Sequence, residues 1–249
     1  MRILVSAGSA QRLVGELYLR TTRPFLREHV TRADVTYLAQ KLKPHPGPVL
    51  DIGCGHGRHL HALTMLQPER TFIGIDLDPL SLSDLRSTAP APVARGDFFA
   101  LPFRNNAFTA AFAWYNTLFS FDDNQQLPLF SSLARCVRPG GLLIFQGTWW
   151  EWAAAQPCAN FEGALPDGAR LFEQTTYRAD SGRDEIVRRL ELPDGQVMTA
   201  SFFIRYYSLD VLTALLDDAG FKTVWVHGDV EGRAVSSSSP DLIVGAVRA

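Results

Sequence analysis

The sequence of 249 residues contains little cysteine and almost no excess of either charge. Its three cysteines, Cys54, Cys136 and Cys158, are odd in number and widely spaced, so they argue against a disulfide framework and predict a reducing compartment. Its 24 basic and 26 acidic residues leave a net charge of -2, which gives no general electrostatic attraction to nucleic acid. A large basic groove is therefore not expected.

Long apolar runs are absent as well. Near the start, Ile3-Leu4-Val5 is followed at once by small and polar residues, which is too short for the apolar segment of a secretory signal. No later run approaches the roughly 20 apolar residues of a membrane span. The sequence therefore predicts a cytoplasmic protein without a membrane partner.

From residue 46 onward, short apolar strands alternate with helices. Strands are predicted at 49–52, 71–75, 93–95, 108–114 and 142–146, and helices near 57–66, 79–87 and 123–136. Strands separated by helices in this way form a parallel sheet covered on both faces. The sequence therefore predicts a doubly wound α/β fold.

Two further regions flank or interrupt this pattern. Residues 11–43 have helical spacing, with Pro24 as a break and Thr31 as the cap of a helix over 33–42. Residues 147–207 lack helices between their strands, so we expect an antiparallel β insertion after the fifth strand. Its strands are predicted at 169–177, 185–192 and 196–206, with Asp194-Gly195 as a hairpin turn.

These patterns divide the chain into three parts. A helical lead-in or lid covers residues 1–45, and the core covers residues 46–146 and 208–249. The last elements of the core are predicted at 208–219 for a helix and at 221–227 and 242–247 for two strands. The insertion, residues 147–207, is expected to act as a substrate lid or as the contact of a homodimer.

A glycine loop follows the first strand of the core. In the segment Asp51-Ile52-Gly53-Cys54-Gly55-His56-Gly57, three glycines would let the backbone approach a ligand closely at the start of a helix. A dinucleotide fingerprint would place a glycine at position 58, where this chain has Arg58. Asp51 would repel a pyrophosphate but could accept a hydrogen bond from a cationic amino group. The loop therefore favours a sulfonium cofactor with an amino group over a dinucleotide.

Acidic side chains also end the next two strands. Asp76 could bind both hydroxyls of a ribose, unless it caps the next helix, for which Asp78 is better placed. Asp97 could accept from an adenine amino group while Phe98 covers a ring face, or it could belong to a surface turn. Together with the loop, these positions indicate a nucleoside site.

Four stretches, taken in order, resemble the class I S-adenosylmethionine-dependent methyltransferases. They are 49–60, 72–79, 94–103 and 133–145, and they carry the strand-end acid, the glycine loop, Gly96-Asp97-Phe98 with Leu101-Pro102-Phe103, and Arg138-Pro139-Gly140-Gly141. One departure is Phe108-Thr109, where many members have Phe-Asp. Residues 228–240 are similar to a bacterial subgroup of uncharacterised or small-molecule methyltransferases.

The resemblance implies a fold, a cofactor and a set of binding residues. The fold would be a mostly parallel, seven-stranded Rossmann-like sheet whose last strand is antiparallel. The cofactor would be S-adenosyl-L-methionine, with S-adenosyl-L-homocysteine as product. By similarity, the methionine end would be held by Asp51, Gly53 and Gly55. The ribose would be held by Asp76, and the adenine by Asp97 with Phe98. The predicted cofactor site also includes Cys54, Leu77 and Trp114.

In such a fold the acceptor lies beyond the carboxyl ends of the strands. Tyr115 and Asn116 follow the fourth strand and are our candidates for positioning the acceptor, although the aromatics here could equally be core and rim side chains. Tyr18 and Trp149 are further substrate-binding candidates. A base is needed only when the acceptor must lose a proton, and Tyr115 and His227 are the candidates for that catalytic role.

Histidines cluster near the loop. Cys54, His56, His59 and His61 include residue types that suit zinc, but their positions point to different sides of the loop and helix, so no metal site is predicted. Arginines of the insertion, among them Arg188, could pair with carboxylates of a substrate. Packing and solvation of a sheet face explain most of them more simply.

The leading hypothesis is methyl transfer to a small-molecule acceptor by in-line displacement. DNA is not expected as partner, because no Asn/Asp-Pro-Pro-aromatic tetrad follows the fourth strand. The alternatives are methylation of protein or transfer RNA, which would require an open basic rim, and a catalytically silent module that only binds the cofactor. A nucleotide-dependent dehydrogenase is a further alternative, for which Arg58 is the main obstacle.

Overall fold

The computed structural model describes residues 13–88 and 91–249. The first twelve residues of the predicted lead-in, which include Ile3-Leu4-Val5, lie outside the described residues. The helices are α1 (Gly15–Thr21), α2 (Glu28–Leu42), α3 (Arg58–Leu66), α4 (Pro79–Thr88), α5 (Asp123–Cys136), α6 (Trp150–Ala154) and α7 (Leu209–Asp218). The strands are β1 (Val49–Ile52), β2 (Phe72–Asp76), β3 (Val93–Arg95), β4 (Phe108–Ala113), β5 (Val137–Thr148), β6 (Cys158–Ala164), β7 (Arg170–Arg178), β8 (Arg183–Glu191), β9 (Val197–Arg205), β10 (Phe221–His227) and β11 (Asp241–Arg248).

The larger sheet has seven strands in the order β10-β11-β5-β4-β1-β2-β3. The pairs β1–β2, β1–β4, β2–β3 and β4–β5 are parallel, whereas β11 runs antiparallel to both of its neighbours. Every residue of β1 and β4 is buried, as expected for central strands of a parallel sheet with both faces covered. This arrangement confirms the predicted fold class.

Helices cover the two faces of this sheet. Leu50 of β1 packs in one cluster with Leu133 of α5 and Leu212 of α7, while its neighbour Val49 packs in the other with Leu38 of α2. Successive strand residues point to opposite faces, so one short apolar strand supplies both clusters. The sheet is thereby fixed from both sides.

The carboxyl ends of the parallel strands meet at one edge of the sheet. Asp51 lies near the end of β1, Asp76 ends β2, Asp97 follows β3, and Tyr115 and Asn116 follow β4. In open parallel sheets this edge is where ligands bind. The topology therefore brings together segments that are far apart in sequence.

The predicted antiparallel insertion is confirmed. Strands β6 to β9 form a second sheet in sequence order, and all its pairs are antiparallel. Gly195, with φ of +83°, lies in the turn between β8 and β9, where the sequence predicts a hairpin. The apolar residues that join this sheet to α1 are Leu17, Leu165, Ala169, Leu171 and Leu190.

Some element boundaries differ from the predictions. The predicted cap at Thr31 is wrong, because α2 begins at Glu28 and the Thr31 hydroxyl donates to the carbonyl of Arg27 at 3.5 Å. Strand β5 begins at Val137, five residues before its predicted start at Leu142, since Val137 already pairs with Phe108. Strand β6 was not predicted, because nearly all of its residues are exposed and no apolar alternation marks it.

Among residues 13–88 and 91–249, no helix combines the length and the apolar character needed to cross a membrane.

Candidate functional site

The loop between β1 and α3 adopts a backbone that suits glycine. Gly53 has φ of +68°, and a Cβ there would lie 2.4 Å from Cγ2 of Thr117. Gly57 has φ of +77°, and a Cβ there would lie 2.0 Å from Cδ1 of Leu85. The Gly53 amide also donates to the carbonyl of Ile75 at 2.8 Å, which ties the loop to β2. Any side chain at these two glycines would clash as well as strain the backbone.

Asp51 is buried beside the loop. Only 3% of the residue is exposed, and its Oδ2 has no hydrogen-bond partner in the described part of the chain. Burial and the nearby Asp76 carboxylate raise the pKa of Asp51 to about 8, against the opposing effect of Arg58. A buried polar atom without a partner is unfavourable, so this oxygen marks a place for a donor on a ligand.

Asp76 faces the loop from the end of β2. Its Oδ2 accepts from the amide of Gly55 at 2.8 Å, and its Oδ1 accepts from the amide of Asp78 at 2.9 Å. Burial raises the pKa of Asp76, and these two hydrogen bonds oppose the rise. Asp78, as expected, caps α4: its Oδ2 accepts from the amide and the hydroxyl of Ser81 at 3.2 and 2.6 Å.

The residues after β3 and β2 form the next part of the site. Phe98 is buried, and its Cζ would lie 3.4 Å from a Cβ on Gly53, so its ring covers the glycine loop. Asp97 is exposed and its Oδ1 accepts from the amide of Phe99 at 3.1 Å. Leu77 is exposed, and its carbonyl accepts from Nε of Arg95 at 3.2 Å.

Tyr18 reaches the loop from α1. Its hydroxyl would lie 3.3 Å from a Cβ on Gly55, and its ring centroid is 6.2 Å from that of His56. The amide of Gly15, at the start of α1, donates to Oδ2 of Asp78 at 3.1 Å and so holds the helix against the site. Burial and the Asp76 carboxylate raise the pKa of Tyr18 to about 12. The phenol is therefore a hydrogen-bond donor at neutral pH.

Tyr115 and Asn116 follow β4 in a strained backbone. Their φ values are +61° and +59°, a conformation that costs a non-glycine residue about 1 to 3 kcal/mol. The Tyr115 amide donates to Oε1 of Gln146 at 2.7 Å, and Oδ1 of Asn116 accepts from the amide of Thr148 at 2.8 Å. The Asn116 side chain is thus engaged with β5, whereas 53% of Tyr115 is exposed at the mouth of the site.

Arg58 lies beside Tyr115 and was not among the predicted site residues. Its Cζ is 5.9 Å from the centroid of the Tyr115 ring. Its Nη1 donates to Oδ2 of Asp34 at 2.8 Å and to the hydroxyl of Thr31 at 3.0 Å, and Nε2 of His59 is 3.0 Å from the same Asp34 oxygen. Burial lowers the pKa of His59 to about 4, so the histidine is neutral at pH 7.

The insertion contributes an ion pair on the other side of Tyr115. Arg188 of β8 pairs with Glu173 of β7 and donates through Nη1 to the hydroxyls of Thr21 and Thr22 at 3.1 and 2.8 Å. Burial raises the pKa of the Tyr115 phenol, Arg58 and Arg188 lower it, and Glu173 raises it. Charges from both α3 and the insertion thus act on the Tyr115 phenol.

The side chains of Trp114 and Trp149, also predicted as site residues, are both held by contacts inside the protein. Trp114 is buried, and its ring centroid lies 5.9 Å from that of His59. Trp149 is buried too, and its Nε1 donates to Oε2 of Glu151 at 3.1 Å. Both rings therefore serve the packing of the domain.

His227 is distant from Tyr115 within the sheet. Strand β10, which ends at His227, is separated from β4 by β11 and β5. Nδ1 of His227 is 2.8 Å from the hydroxyl of Tyr37, and its ring stacks on Trp225 at 4.9 Å between centroids. Burial, followed by Lys41, lowers the pKa of His227.

Cys54 and the nearby histidines form no metal centre. Across residues 13–88 and 91–249, no group of three or more histidine, cysteine, aspartate or glutamate side chains is placed to hold a metal ion. Cys54 is buried against β2, where a Cβ on Gly74 would lie 2.8 Å from its Sγ, and burial raises the pKa of its thiol. Packing explains this side chain.

Residues 49–141 match a family model described as a methyltransferase domain. This segment of the chain is therefore a methyltransferase domain. The match begins with β1 and includes the glycine loop, Arg58, Asp76, Asp97 and Tyr115.

Individual relatives agree with this assignment. The chain is 31% identical over 127 residues to a trans-aconitate 2-methyltransferase from Acidovorax, covering 49% of this chain and 46% of the relative. The chain thus spans just under half the length of this curated relative. The CcbJ methyltransferase from Streptomyces caelestis has a similar fold, with a TM-score of 0.74, 21% identity, and coverage of 88% of this chain and 89% of that one. An amino pentose methyltransferase from Micromonospora echinaspora, solved with S-adenosylmethionine bound, gives a TM-score of 0.67 at 17% identity and covers 96% and 99% of the two chains.

Parts of the site lie outside the matched methyltransferase segment. Tyr18 comes from α1, and Arg188 and Glu173 come from the insertion. The sequence signals of the family identify the loop and the strand-end acids, but they do not extend to these elements. Arg58 is within the matched segment, yet its partner Asp34 lies 24 residues earlier, and only the packing of α2 on α3 brings the two together.

Proposed function

We propose that this chain binds S-adenosylmethionine at the glycine loop and transfers its methyl group to a small-molecule acceptor. The observation that carries the proposal is the buried, unpartnered Oδ2 of Asp51 beside the loop, among the described residues. The ammonium of the methionine moiety would donate a hydrogen bond to this oxygen. Its positive charge would stabilise the ionised form of the buried carboxylate. A dinucleotide phosphate there would be repelled by the ionised forms of Asp51 and Asp76 and would offer no donor to the unpartnered oxygen.

The remaining side chains fit the nucleoside half of the cofactor. Asp76 presents a carboxylate that already holds the loop amide of Gly55 and can accept further hydrogen bonds from ribose hydroxyls. Phe98 and Leu77 would cover the adenine, and Asp97 would accept from its amino group. These residues come from the ends of β2 and β3, which lie side by side in the sheet.

When bound, the cofactor supplies an electrophilic methyl group on a sulfonium. The chain's own part is to orient the acceptor and to exclude water. Tyr18 lies against Gly55 of the loop and Tyr115 lies beside Arg58, and both phenols are protonated donors at neutral pH, since even an unperturbed phenol has a pKa of about 10. Tyr115 would position the acceptor by a hydrogen bond. We give His227 no part in the reaction, because two strands of the sheet separate β10, which ends at His227, from β4, which precedes Tyr115.

Several observations support a small acceptor. Tyr115 lies beside Arg58 of α3 and is influenced by the charges of Arg188 and Glu173 of the insertion, so we infer that both elements wall the mouth of the site. The curated relative acts on trans-aconitate and the structural neighbour on an amino pentose, which are both small molecules. A walled mouth of this kind suits a small molecule better than the surface of a protein or an RNA.

The proposal is tested by methyl transfer from labelled S-adenosylmethionine. The protein is incubated with the labelled cofactor and, separately, with small metabolites, total protein and transfer RNA. We expect label in the small-molecule fraction, and a strong decrease for Asp76→Ala. Label found only in the protein or RNA fraction would show that the acceptor is a macromolecule and not a small molecule. Cofactor binding without any labelled product would instead support a silent binding module.

A further inference from the structure

We propose that Arg58 is a carboxylate-binding residue at the mouth of the site, an inference that rests on the proposed function. The guanidinium lies at the first position of α3, with 11% of the side chain exposed. Its Nη1 has two partners, Asp34 and Thr31, but its Nη2 is buried without a partner in residues 13–88 and 91–249.

An unpartnered guanidinium nitrogen indicates a ligand because its burial is otherwise unfavourable. Buried donors are nearly always paired in proteins, and a charged donor loses more than a neutral one when it is left unpaired. Elsewhere in this chain the comparable Arg70 shows the usual pattern, since Nε, Nη1 and Nη2 donate to the carbonyls of Gly47, Leu42 and His45. Arg58 departs from that pattern at one nitrogen.

The position of Arg58 indicates where the missing partner would come from. The guanidinium carbon lies 5.9 Å from the ring of Tyr115, and its charge acts on Tyr18 and Asp51 across the glycine loop. Arg58 thus stands between the cofactor loop and the acceptor side. Its second nitrogen is available to a group that enters this space.

The unpartnered Nη2 favours an anion as that group, because a guanidinium N–H forms its strongest hydrogen bonds with ionised acceptors. Asp34 is the ion-pair partner of Arg58, and its other neighbour, His59, is neutral because burial lowers its pKa to about 4. The Arg58 and Asp34 charges therefore offset each other. Asp34 and Thr31 also fix the guanidinium plane, which leaves the free nitrogen in a defined direction.

A carboxylate is the anion whose geometry matches a guanidinium nitrogen in this setting. Two sources would provide it: the carboxylate of the cofactor's amino-acid end and a carboxylate on the acceptor. Asp51 and Arg58 flank one loop, and an ammonium that pairs with ionised Asp51 would lie near a carboxylate that pairs with Arg58, which suits an amino acid. Tyr115 beside Arg58 suits the acceptor equally.

The test compares the wild type with Arg58→Lys by calorimetry. Lysine keeps a positive charge for Asp34 but removes Nη2, so a purely structural role would be largely retained. The probes are S-adenosylhomocysteine and 5′-methylthioadenosine, which lacks the amino-acid end. If the carboxylate belongs to the cofactor, Arg58→Lys weakens the binding of S-adenosylhomocysteine by about tenfold or more. The binding of 5′-methylthioadenosine then stays unchanged.

A second arm detects a carboxylate of the acceptor. Carbon-13-labelled acetate is titrated into protein saturated with S-adenosylhomocysteine, at constant ionic strength set with chloride. If the acceptor supplies the carboxylate, acetate binds the wild type and its binding is lost in Arg58→Lys, while both nucleosides bind as before. Arg70→Lys is the matched control and should change neither arm.

A measurement on the wild type keeps the test decisive if the variant does not fold. The Nε–H signal of Arg58 is followed in nitrogen-15 spectra. If the cofactor supplies the carboxylate, the signal shifts with S-adenosylhomocysteine but not with 5′-methylthioadenosine. If the acceptor supplies it, the signal shifts with acetate. Equal binding by wild type and a folded Arg58→Lys in both arms, or an Arg58 signal that no probe moves, overturns the inference. If the wild type binds neither nucleoside, the proposed function fails instead.

Discussion

Asp51 combines full burial with a second carboxylate nearby, and that combination raises its pKa to about 8. Without a ligand to pair with, this carboxyl is therefore mostly protonated near neutral pH. A cationic amino group would require the ionised form, so binding it would release a proton. Affinity for such a ligand should then increase as the pH rises toward 8.

We predict this dependence for S-adenosylhomocysteine. Between pH 6 and 7.5 its affinity should increase with pH, by at most about tenfold per unit for one released proton. Asp51→Asn should bind more weakly and show a flatter profile. Calorimetry in buffers of different ionisation enthalpy checks the proton count. An equally steep profile in Asp51→Asn would show that another group releases the proton.

Gly57 provides a prediction about backbone and packing. Gly57→Ala and Gly140→Ala both place a side chain at positive φ, +77° and +72°, which costs about 1 to 2 kcal/mol. A Cβ at 57 would lie 2.0 Å from Leu85, whereas a Cβ at 140 has no described atom within 4 Å. Gly57→Ala should therefore be less stable than Gly140→Ala by about 1 to 3 kcal/mol in urea unfolding. Equal losses would contradict the close packing of the loop on α4.

At the level of elements, α1 connects the cofactor loop with the insertion. Its first residue bonds Asp78, Tyr18 covers Gly55, and Leu17 is buried against Leu171 and its neighbours in the insertion. Arg188 bonds Thr21 and Thr22 at the other end of the helix. The helix has only seven residues, so tertiary contacts rather than its own propensity hold it in place.

We predict that Leu17→Ala detaches α1 from the insertion. Truncating a buried leucine removes about 2 to 5 kcal/mol of packing. Amides of residues 15–21 should exchange faster with deuterium, and S-adenosylhomocysteine should bind several-fold more weakly because Tyr18 is no longer held. Leu66→Ala, at an exposed position of α3, is the control. Unchanged exchange in α1 would show that Leu17 does not anchor the helix.

The elements that the sequence predicted well are those with a strong local pattern. Strands β1 and β4 are continuous apolar runs, and Asp194-Gly195 marks a turn by its chemistry alone. Strand β6 has no such pattern, because it is an exposed edge whose partner β7 defines it. The start of α2 was misplaced because Thr31 is a good cap by type, yet it lies within the helix.

For the whole molecule, the site is assembled from three parts of the chain. The motifs of the core predicted the positions of Asp51, Asp76 and Phe98, since each lies at or just beyond the carboxyl end of a parallel strand. Arg58 with Asp34, and Tyr115 with Arg188, depend on how α2 and the insertion pack on the core. No motif or regular spacing in the sequence predicts such pairs.

Buried histidine gives the whole molecule a predicted sensitivity to acid. Burial lowers the pKa of both His56 and His59 to about 4, below the value of about 6.5 in an unfolded chain. Between these values the unfolded state binds protons that the folded state does not, so stability falls as the pH falls from about 6.5 toward 4.

The check is urea unfolding between pH 4.5 and 7.5. The free energy of unfolding should decrease as the pH falls over this range. In His59→Gln it should decrease less steeply, because up to one proton fewer is taken up on unfolding. An unchanged slope in His59→Gln would mean that its imidazole is protonated in the fold, in an ion pair with Asp34.

The most direct test of the central claim is calorimetry of S-adenosylhomocysteine with the wild type and Asp76→Ala. We expect binding by the wild type with a dissociation constant of about micromolar order, and a loss of at least about tenfold in Asp76→Ala, because the ribose would lose its carboxylate acceptor. Normal binding by Asp76→Ala would remove only the role of that residue. No binding of S-adenosylhomocysteine by the folded wild type would contradict the account.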